Sequence, residues 1–172
     1  MPPLRPWLPG APTLWFLVGL PGSGKSTWVQ SRLLNNITPT HIASTDDVLE
    51  RFAREDGTSY SIAHRTRFKD AEREFKAEMI LAAQQGKDII VDRTNVSESS
   101  RRKVVALVES SAREVYIRKA VIFNIEMNEL ATRLALREQN TGKAIPMEVI
   151  ETMKRDYVEP SPSDFHVLYR VP

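Results

Sequence analysis

Short apolar runs alternate along this chain with longer segments whose apolar residues recur every three or four positions. The first run, residues 13–18, is almost continuously apolar, as expected of a parallel strand buried on both faces. Further strands are predicted at about residues 41–45, at 88–91, within 115–125 and at 165–171. Helices are predicted from about residue 25, at 48–54, at 61–85, from 97 or 99 to 110, at 128–139 and at 146–157.

The longest predicted helix, residues 61–85, carries the clearest periodicity. Its apolar positions are spaced as one core-facing stripe: Phe68, Ala71, Phe75, Met79 and Ala82. Gly86 is placed to cap its carboxyl end. The order β-α-β-α-α-β-α-β-α-α-β predicts an α/β fold, a parallel sheet with helices on both faces. We expect an irregular, proline-rich lead-in at residues 1–12 and a single domain at 13–172.

Composition narrows the function only a little. The chain has 24 basic and 22 acidic residues and a formal charge of +2, so the total charge does not indicate a nucleic-acid binder, although a local basic channel is compatible with it. The absence of cysteine excludes disulfide partners and thiolate chemistry. No apolar run approaches the ~20 residues of a membrane span, and residues 1–12 do not resemble a signal peptide. We therefore expect a cytoplasmic protein with no membrane partner.

The strongest chemical signal follows the first predicted strand. The sequence there fits G-x-x-x-x-G-K-[ST] at every fixed position: Gly19-Leu20-Pro21-Gly22-Ser23-Gly24-Lys25-Ser26. Glycines let backbone N–H groups converge on phosphate oxygens, and a helix amino terminus adds its dipole. Lys25 is expected on the β- and γ-phosphates, and the Ser26 hydroxyl on Mg²⁺. The motif predicts a P-loop fold that binds ATP or another nucleoside triphosphate with Mg²⁺.

Acidic residues follow the second and third predicted strands. In an open α/β sheet, ligands bind beyond the carboxyl ends of the strands, so Asp46 or Asp47 could accept the proton of an attacking hydroxyl. The alternative is that one of them caps the helix at 48–54, and both can hold. Asp92 is placed to hold Mg²⁺ through water. Thr94 and Asn95 could position the acceptor, or simply form a turn.

Two arginines on the helix at 128–139 form a further pair. Arg133 and Arg137 are four residues apart and share a helical face, where their guanidinium groups could stabilise a transferring phosphoryl group. With the polar segment that follows, they suggest a helical lid at about residues 128–146. The alternative is a solvated basic face. Other basic clusters, including Arg101-Arg102-Lys103, are predicted to lie on exposed faces.

In combination these motifs resemble the 5′-hydroxyl polynucleotide kinase domain, as in bacteriophage polynucleotide kinase. The similarity covers about residues 14–157 and rests on Gly22-Ser23-Gly24-Lys25-Ser26-Thr27-Trp28, Asp46-Asp47, Asp92-Arg93-Thr94-Asn95 and an arginine-bearing segment that ends at Lys143-Ala144-Ile145-Pro146. The resemblance implies that Asp46 is the general base, that Asp92 organises the acceptor site, and that Arg133 and Arg137 bind the donor phosphates. The implied substrate is the 5′-hydroxyl end of DNA or RNA.

One position departs from the family pattern. The family has an arginine three residues after the general base, where it grips a phosphate of the acceptor strand, and this chain has Leu49 there. The basic residues considered as replacements are Arg51, Arg54, Arg65 and Arg67.

Two other functions stay open from the sequence. A small-molecule P-loop kinase would phosphorylate a sugar, nucleotide or antibiotic hydroxyl, and its acceptor binding would depend little on salt. A nucleotide-dependent switch or binding module would need no acceptor chemistry, so it would tolerate Asp46→Ala.

Overall fold

The computed structural model describes residues 1–34, 39–141 and 144–171. These residues form five strands and six helices in the predicted order. The strands are β1 (Thr13–Val18), β2 (Thr40–Ala43), β3 (Asp88–Val91), β4 (Ile117–Phe123) and β5 (Val167–Val171). The helices are α1 (Lys25–Leu34), α2 (Thr45–Glu55), α3 (Tyr60–Gln84), α4 (Glu98–Ser111), α5 (Met127–Thr141) and α6 (Met147–Arg155).

The strands make one parallel sheet in the order β2-β3-β1-β4-β5. Leu14 on β1 pairs with Ile89 on β3, and Phe16 on β1 pairs with Ala120 on β4. The chain passes from β1 to β2 and β3 on one side of β1, and then crosses to β4 and β5 on the other side. The direction of the strand order therefore changes between β3 and β1. The predicted α/β fold with a parallel sheet is therefore confirmed.

Alternate residues of β1 face opposite layers of the core. Leu14, Phe16 and Val18 belong to a cluster with side chains of α3 and α4, whereas Trp15 and Leu17 pack with Val29 of α1 and with residues of β4. Helices therefore cover both faces of the sheet, which explains why β1 is apolar at almost every position.

Serine hydroxyls, rather than the predicted aspartates, cap the amino ends of the helices beside the sheet. Helix α2 begins at Thr45 instead of residue 48, and the Ser44 side chain accepts a hydrogen bond from Asp47 N at 3.2 Å. Asp46 and Asp47 therefore lie within the first turn, and neither is the cap. Ser97 caps α4, which is one of the two predicted alternatives.

Helix α3 matches its predicted core stripe except at one end. Ala71, Phe75, Met79 and Ala82 are buried, but Phe68 is 39% exposed. The helix ends one residue earlier than predicted: Gln85 is its cap, and Gly86 follows at φ +64°, a conformation that favours glycine.

The basic cluster on α4 departs from its predicted exposure. Arg101 is fully buried, and its guanidinium group donates to the carbonyl oxygens of Asn95 (2.7 Å), Val96 (3.1 Å) and Val158 (2.9 Å). It therefore ties the loop after β3 to the chain after α6. Arg102 and Lys103 are exposed, as predicted.

No helix within the described ranges combines the length and the apolar character that a membrane crossing requires.

Candidate active site

A cleft of about 1230 Å³ opens at the carboxyl ends of the central strands. It lies where the strand order reverses, the usual place for a ligand in an open α/β sheet. Its walls bring together most of the sequence-predicted site residues: Gly22, Ser23, Gly24, Lys25, Ser26, Thr27, Asp46, Asp47, Asp92, Thr94, Arg133 and Arg137.

The glycine-rich loop between β1 and α1 forms the floor of the cleft. Gly22 has φ +84° and Gly24 has φ +102°, values that side chains other than glycine rarely adopt. A Cβ at Gly24 would contact only Arg133 Nη1, at 3.8 Å, so the space above the loop is open. Ser23 Oγ is buried and has no hydrogen-bond partner among the described residues. The loop therefore leaves room and donor groups for an anionic ligand at the start of α1.

Lys25 lies against this loop. Its ammonium group donates to the carbonyl oxygens of Gly19 (2.9 Å) and Leu20 (2.7 Å). Burial lowers the pKa of Lys25 to about 8; Asp92 and Asp46 oppose the shift and Arg137 adds to it. The lysine is thus a partly desolvated cation, and an added phosphate charge would strengthen its protonated form.

Helix α5 packs directly on the loop. A Cβ at Gly22 would approach Leu130 Cδ1 to 3.2 Å and Leu134 Cδ2 to 3.4 Å, so only glycine lets the helix lie this close. Arg133 Nη1 donates to Gly22 O at 3.2 Å. Arg137, one turn further, also lines the cleft. The predicted pair therefore overhangs the loop; residues 142–143 of the predicted lid lie outside the described residues.

Asp46 projects into the cleft from the first turn of α2. Its Oδ1 accepts a hydrogen bond of 2.8 Å from the hydroxyl of Tyr60, the first residue of α3. Burial and the neighbouring Asp46 carboxylate raise the pKa of Tyr60 above its ordinary value, so this hydroxyl stays protonated and donates. The sequence analysis did not identify Tyr60.

Asp92 lies at the carboxyl end of β3, between the loop and α2. Burial raises the pKa of Asp92; Lys25 opposes the shift, and Asp47 and Asp46 add to it. Three carboxylates and a lysine therefore influence one another in this cleft. Among the described residues, no group of three or more histidine, cysteine, aspartate or glutamate side chains forms a metal site by itself.

The turn after β3 anchors the glycine-rich loop. Thr94 lines the cleft, and its carbonyl oxygen accepts a hydrogen bond from Gly19 N at 3.0 Å. Asn95, predicted as an acceptor ligand, is buried and is not among the described residues that line the cleft. Its Nδ2 donates to Leu17 O (2.9 Å), Val91 O (3.0 Å) and Arg93 O (3.1 Å), which holds the turn in place.

Arg51, considered as an acceptor-binding residue, is not among the described residues that line the cleft. It pairs with Glu55 at 3.1 Å and also with Glu74 on α3. Leu49 is fully buried against α3, in a cluster with Val48, Phe52 and Ala71. Leu49, at the position where the polynucleotide kinases have an arginine, therefore packs α2 against α3.

Arg93 lines the cleft beside Asp92 and was left undecided by the sequence. Its guanidinium group forms an ion pair of 3.0 Å with Glu72 and lies 4.9 Å from the centroid of the Phe75 ring. Glu72 also accepts a hydrogen bond from Thr45 Oγ1 at 3.0 Å, so the carboxylate that holds Arg93 is itself tied to α2.

The fold and the cleft together define a class, the P-loop kinase-like domains. The family model described as AAA domain (AAA_33) matches residues 14–160, and the chain belongs to that family. Nucleotide binding is a property of the class.

Solved structures show the same architecture. A candidate kinase from Chloroflexus aurantiacus J-10-fl is similar with a TM-score of 0.72 and 18% identity, over 94% of this chain and 85% of that chain. A chain of the Pnkp1/Rnl/Hen1 RNA repair complex is similar with a TM-score of 0.64 and 26% identity, over 84% of this chain but 43% of that chain. A gluconokinase from Sinorhizobium meliloti 1021 is similar with a TM-score of 0.55 and 16% identity, over 94% and 82%.

Nucleotide binding is expected to take up a proton at alkaline pH. Phosphate charges favour the ammonium form of Lys25 and raise its pKa above the value of about 8 that it has in the free cleft. At pH 9 the free lysine is mostly neutral and the bound lysine charged, whereas at pH 7 both are charged. Calorimetric titration with MgADP in buffers of different ionisation enthalpy should give nearly one proton at pH 9 and about a tenth of that at pH 7.

The control for this titration is Lys25→Met at higher MgADP concentration, which should abolish the difference between the two pH values. Equal proton uptake at pH 7 and pH 9 in the native protein would contradict the assignment to Lys25.

Proposed function

We propose that this protein is a polynucleotide kinase that transfers the γ-phosphoryl group of ATP to the 5′-hydroxyl end of DNA or RNA. The observation that carries the proposal is that the Asp46 carboxylate and the glycine-rich loop with Lys25 line one cleft, below the two lid arginines. We further propose that residues 13–172 act as one kinase domain, with residues of about 128–146 as its lid.

The donor binds along the loop. Backbone N–H groups of the loop and the amino terminus of α1 face the phosphates, and Lys25 contacts the β- and γ-phosphates. Arg133 and Arg137 contribute guanidinium groups from α5, where charge spreads over the transferring group. The contact of Arg133 with Gly22 O supports this placement.

A magnesium ion would be held jointly by the protein and the nucleotide. Ser26 is exposed at the start of α1, and Asp92 lies across the cleft, so a hydroxyl and a water-bridged carboxylate are available to an oxygen-preferring cation. When bound, the ion supplies neutralisation of the phosphate charge.

The Asp46 carboxylate acts as general base. It takes the proton of the acceptor hydroxyl as that oxygen forms a bond to the γ-phosphorus, while the bond from the γ-phosphorus to the bridging oxygen breaks and the nucleoside diphosphate leaves. The Tyr60 hydroxyl, bound to Asp46 Oδ1, fixes the orientation of the carboxylate and leaves its second oxygen for the acceptor.

The acceptor enters on the side of α2 and α3. Thr94 and Arg93 line this side together with Asp92. We propose Arg93 as the residue that contacts an acceptor phosphate, because Leu49 is buried and Arg51 is paired outside the cleft.

A small-molecule kinase is the second candidate function. The buried Leu49 favours it, since the arginine that grips a strand phosphate in the polynucleotide kinases is missing. The similarity to a chain of an RNA repair complex, at 26% identity, favours the polynucleotide acceptor. The placement of Asp46 beside a phosphate-binding loop argues against a simple nucleotide switch, which needs no base.

The test is transfer of labelled γ-phosphate from MgATP to 5′-hydroxyl oligonucleotides of DNA and RNA, with gluconate and nucleosides as small acceptors. We expect label at the 5′ end of the oligonucleotides, and none on oligonucleotides that already carry a 5′-phosphate. Transfer to small acceptors alone would replace the proposal by the second candidate, and nucleotide binding without any transfer would point to the switch.

A further inference from the structure

Helix α3 presents a row of three rings to the cleft, which we call the aromatic stripe: Tyr60, His64 and Phe68. Residues four apart share a helical face. The centroids of Tyr60 and His64 are 6.0 Å apart, and those of His64 and Phe68 are 5.2 Å apart. The stripe is therefore a continuous ring surface along one side of the cleft.

Tyr60 packs in part against the cluster of α2 and α3, but the other two rings of the aromatic stripe lie outside the core. Helix α3 packs on the sheet through Phe75 and Met79 and on α2 through Ala71, whereas His64 and Phe68 are exposed. An exposed ring surface inside a polar cleft suits a ligand with flat, apolar faces. Nucleobases have such faces, and aromatic side chains are the usual platform for single-stranded nucleic acid.

The aromatic stripe starts at the proposed base. The Tyr60 hydroxyl contacts Asp46, so the ring at this end lies next to the position of the reacting 5′-hydroxyl. A helix rises about 1.5 Å per residue, so the stripe extends about 12 Å from Tyr60 to Phe68. One base on the face of each ring would occupy this length with about three nucleotides.

Beyond Phe68, one face of the same helix carries more basic than acidic side chains. Phe68 also lines a second groove of about 600 Å³, whose walls include the exposed side chains of Lys69, Arg73 and Lys76. Arg73 pairs with Asp70 at 2.7 Å. Glu72 also lines this groove, and its charge is balanced by the ion pair with Arg93. Backbone phosphates are the complementary ligand for such a groove.

We propose that α3 binds the acceptor strand: the aromatic stripe stacks about the first three bases, and the groove at Lys69 and Lys76 contacts the phosphates that follow. This inference rests on the proposed function. Stacking and phosphate contacts do not depend on the identity of the base, so it predicts a kinase with weak sequence preference and a marked preference for acceptors longer than two nucleotides.

The test compares a 5′-hydroxyl dinucleotide with a hexanucleotide as acceptors. The native protein should have a much lower KM for the hexanucleotide, because only the longer acceptor reaches Phe68. Phe68→Ala should raise the hexanucleotide KM about 5-fold to 150-fold, the range of one lost stacking contact, so that the two KM values converge. The KM for ATP should not change.

Matched variants separate stacking from general damage to the helix. Phe68→Trp keeps a ring and should retain the low hexanucleotide KM. Leu81→Ala truncates another exposed apolar residue of α3, 54% exposed and outside both grooves, and should behave like the native protein. The double variant Lys69→Gln and Lys76→Gln should reduce the slope of log K against log salt by about 1.4 for a dodecamer, with no change for the dinucleotide.

The outcomes distinguish this inference from the proposed function. Labelling of oligonucleotides whose KM values are unaffected by Phe68→Ala would overturn the stacking surface and leave the kinase proposal standing. If no oligonucleotide is phosphorylated, binding of a fluorescent hexanucleotide is measured by anisotropy. Weaker binding by Phe68→Ala than by the native protein would support the stacking surface although the kinase proposal fails. Equal binding by the two proteins, or no binding, would overturn both.

Discussion

Replacing Asp46 by asparagine is expected to lower the rate of phosphoryl transfer by about 100-fold to 10,000-fold, the usual contribution of a general base. The amide keeps the size of the carboxylate and can still accept the hydrogen bond from Tyr60 at Oδ1. It cannot accept the proton of the acceptor hydroxyl. The loss should therefore appear in kcat, while the affinity for MgADP stays near that of the native protein.

The matched control is Asp47→Asn, an identical change one residue further along the first turn of α2. Both carboxylates line the cleft and both lie near the helix amino terminus, so the loss of charge should affect stability to a similar extent. The hydroxyl of Tyr60 orients the Asp46 carboxylate, and we expect less than a 10-fold effect at Asp47. Equal losses in the two variants would show that the cleft needs negative charge rather than a positioned base.

The sequence predicts a structural feature correctly where that feature depends on residues that are neighbours in the chain. Strands β1 and β3 have the predicted bounds, because each is an apolar run next to residues that end a strand. A glycine-rich turn follows β1, and Gly86-Lys87 precede β3. The glycine-rich loop was identified for the same reason: its function requires a fixed series of small residues and a lysine within eight positions. Arg133 and Arg137 face the cleft as a pair because helical spacing decides which residues share a face.

Features that depend on distant segments could not be predicted. The residues around Asn95 predict an acceptor ligand, yet its amide nitrogen donates to the carbonyl oxygens of Leu17, Val91 and Arg93. The burial of Arg101 is set by Val158, which is 57 positions away in the chain. A polar residue type indicates that hydrogen bonds will be made, but only the tertiary structure shows with which partners.

Phe68 and Tyr60 show the same limit of a prediction from the sequence. The spacing of Phe68 continues the stripe of Ala71 and Phe75 and so predicts a core position, but the residue is 39% exposed and lines the cleft. The spacing of Tyr60, His64 and Phe68 was available as a signal. Only the contact of Tyr60 with Asp46 reveals that this face meets the site.

The second large effect is expected at Lys25, where methionine should lower phosphoryl transfer by about 1000-fold. The ammonium group lies on the carbonyl oxygens of Gly19 and Leu20, where burial has already removed much of its hydration. A preorganised charge of this kind stabilises the transition state far more than a solvated one, and removal of a single such donor costs about 100-fold to 1000-fold. Lys103→Met, at an exposed position on α4, is the control and should retain full activity.

The pH dependence of the free energy of unfolding should also distinguish Lys25→Met from the native protein. In the native protein the pKa of Lys25 is about 8 instead of its ordinary 10.5, because the buried charge is disfavoured. The unfolded chain therefore binds more protons between these two values, and the free energy of unfolding of the native protein rises with pH across that window. Denaturant titrations from pH 7 to pH 10.5 should show this gain in the native protein and in Lys103→Met but not in Lys25→Met. Parallel pH profiles for all three proteins would mean that Lys25 is not the desolvated cation of the cleft, and a loss of activity in Lys25→Met could then not be attributed to its charge.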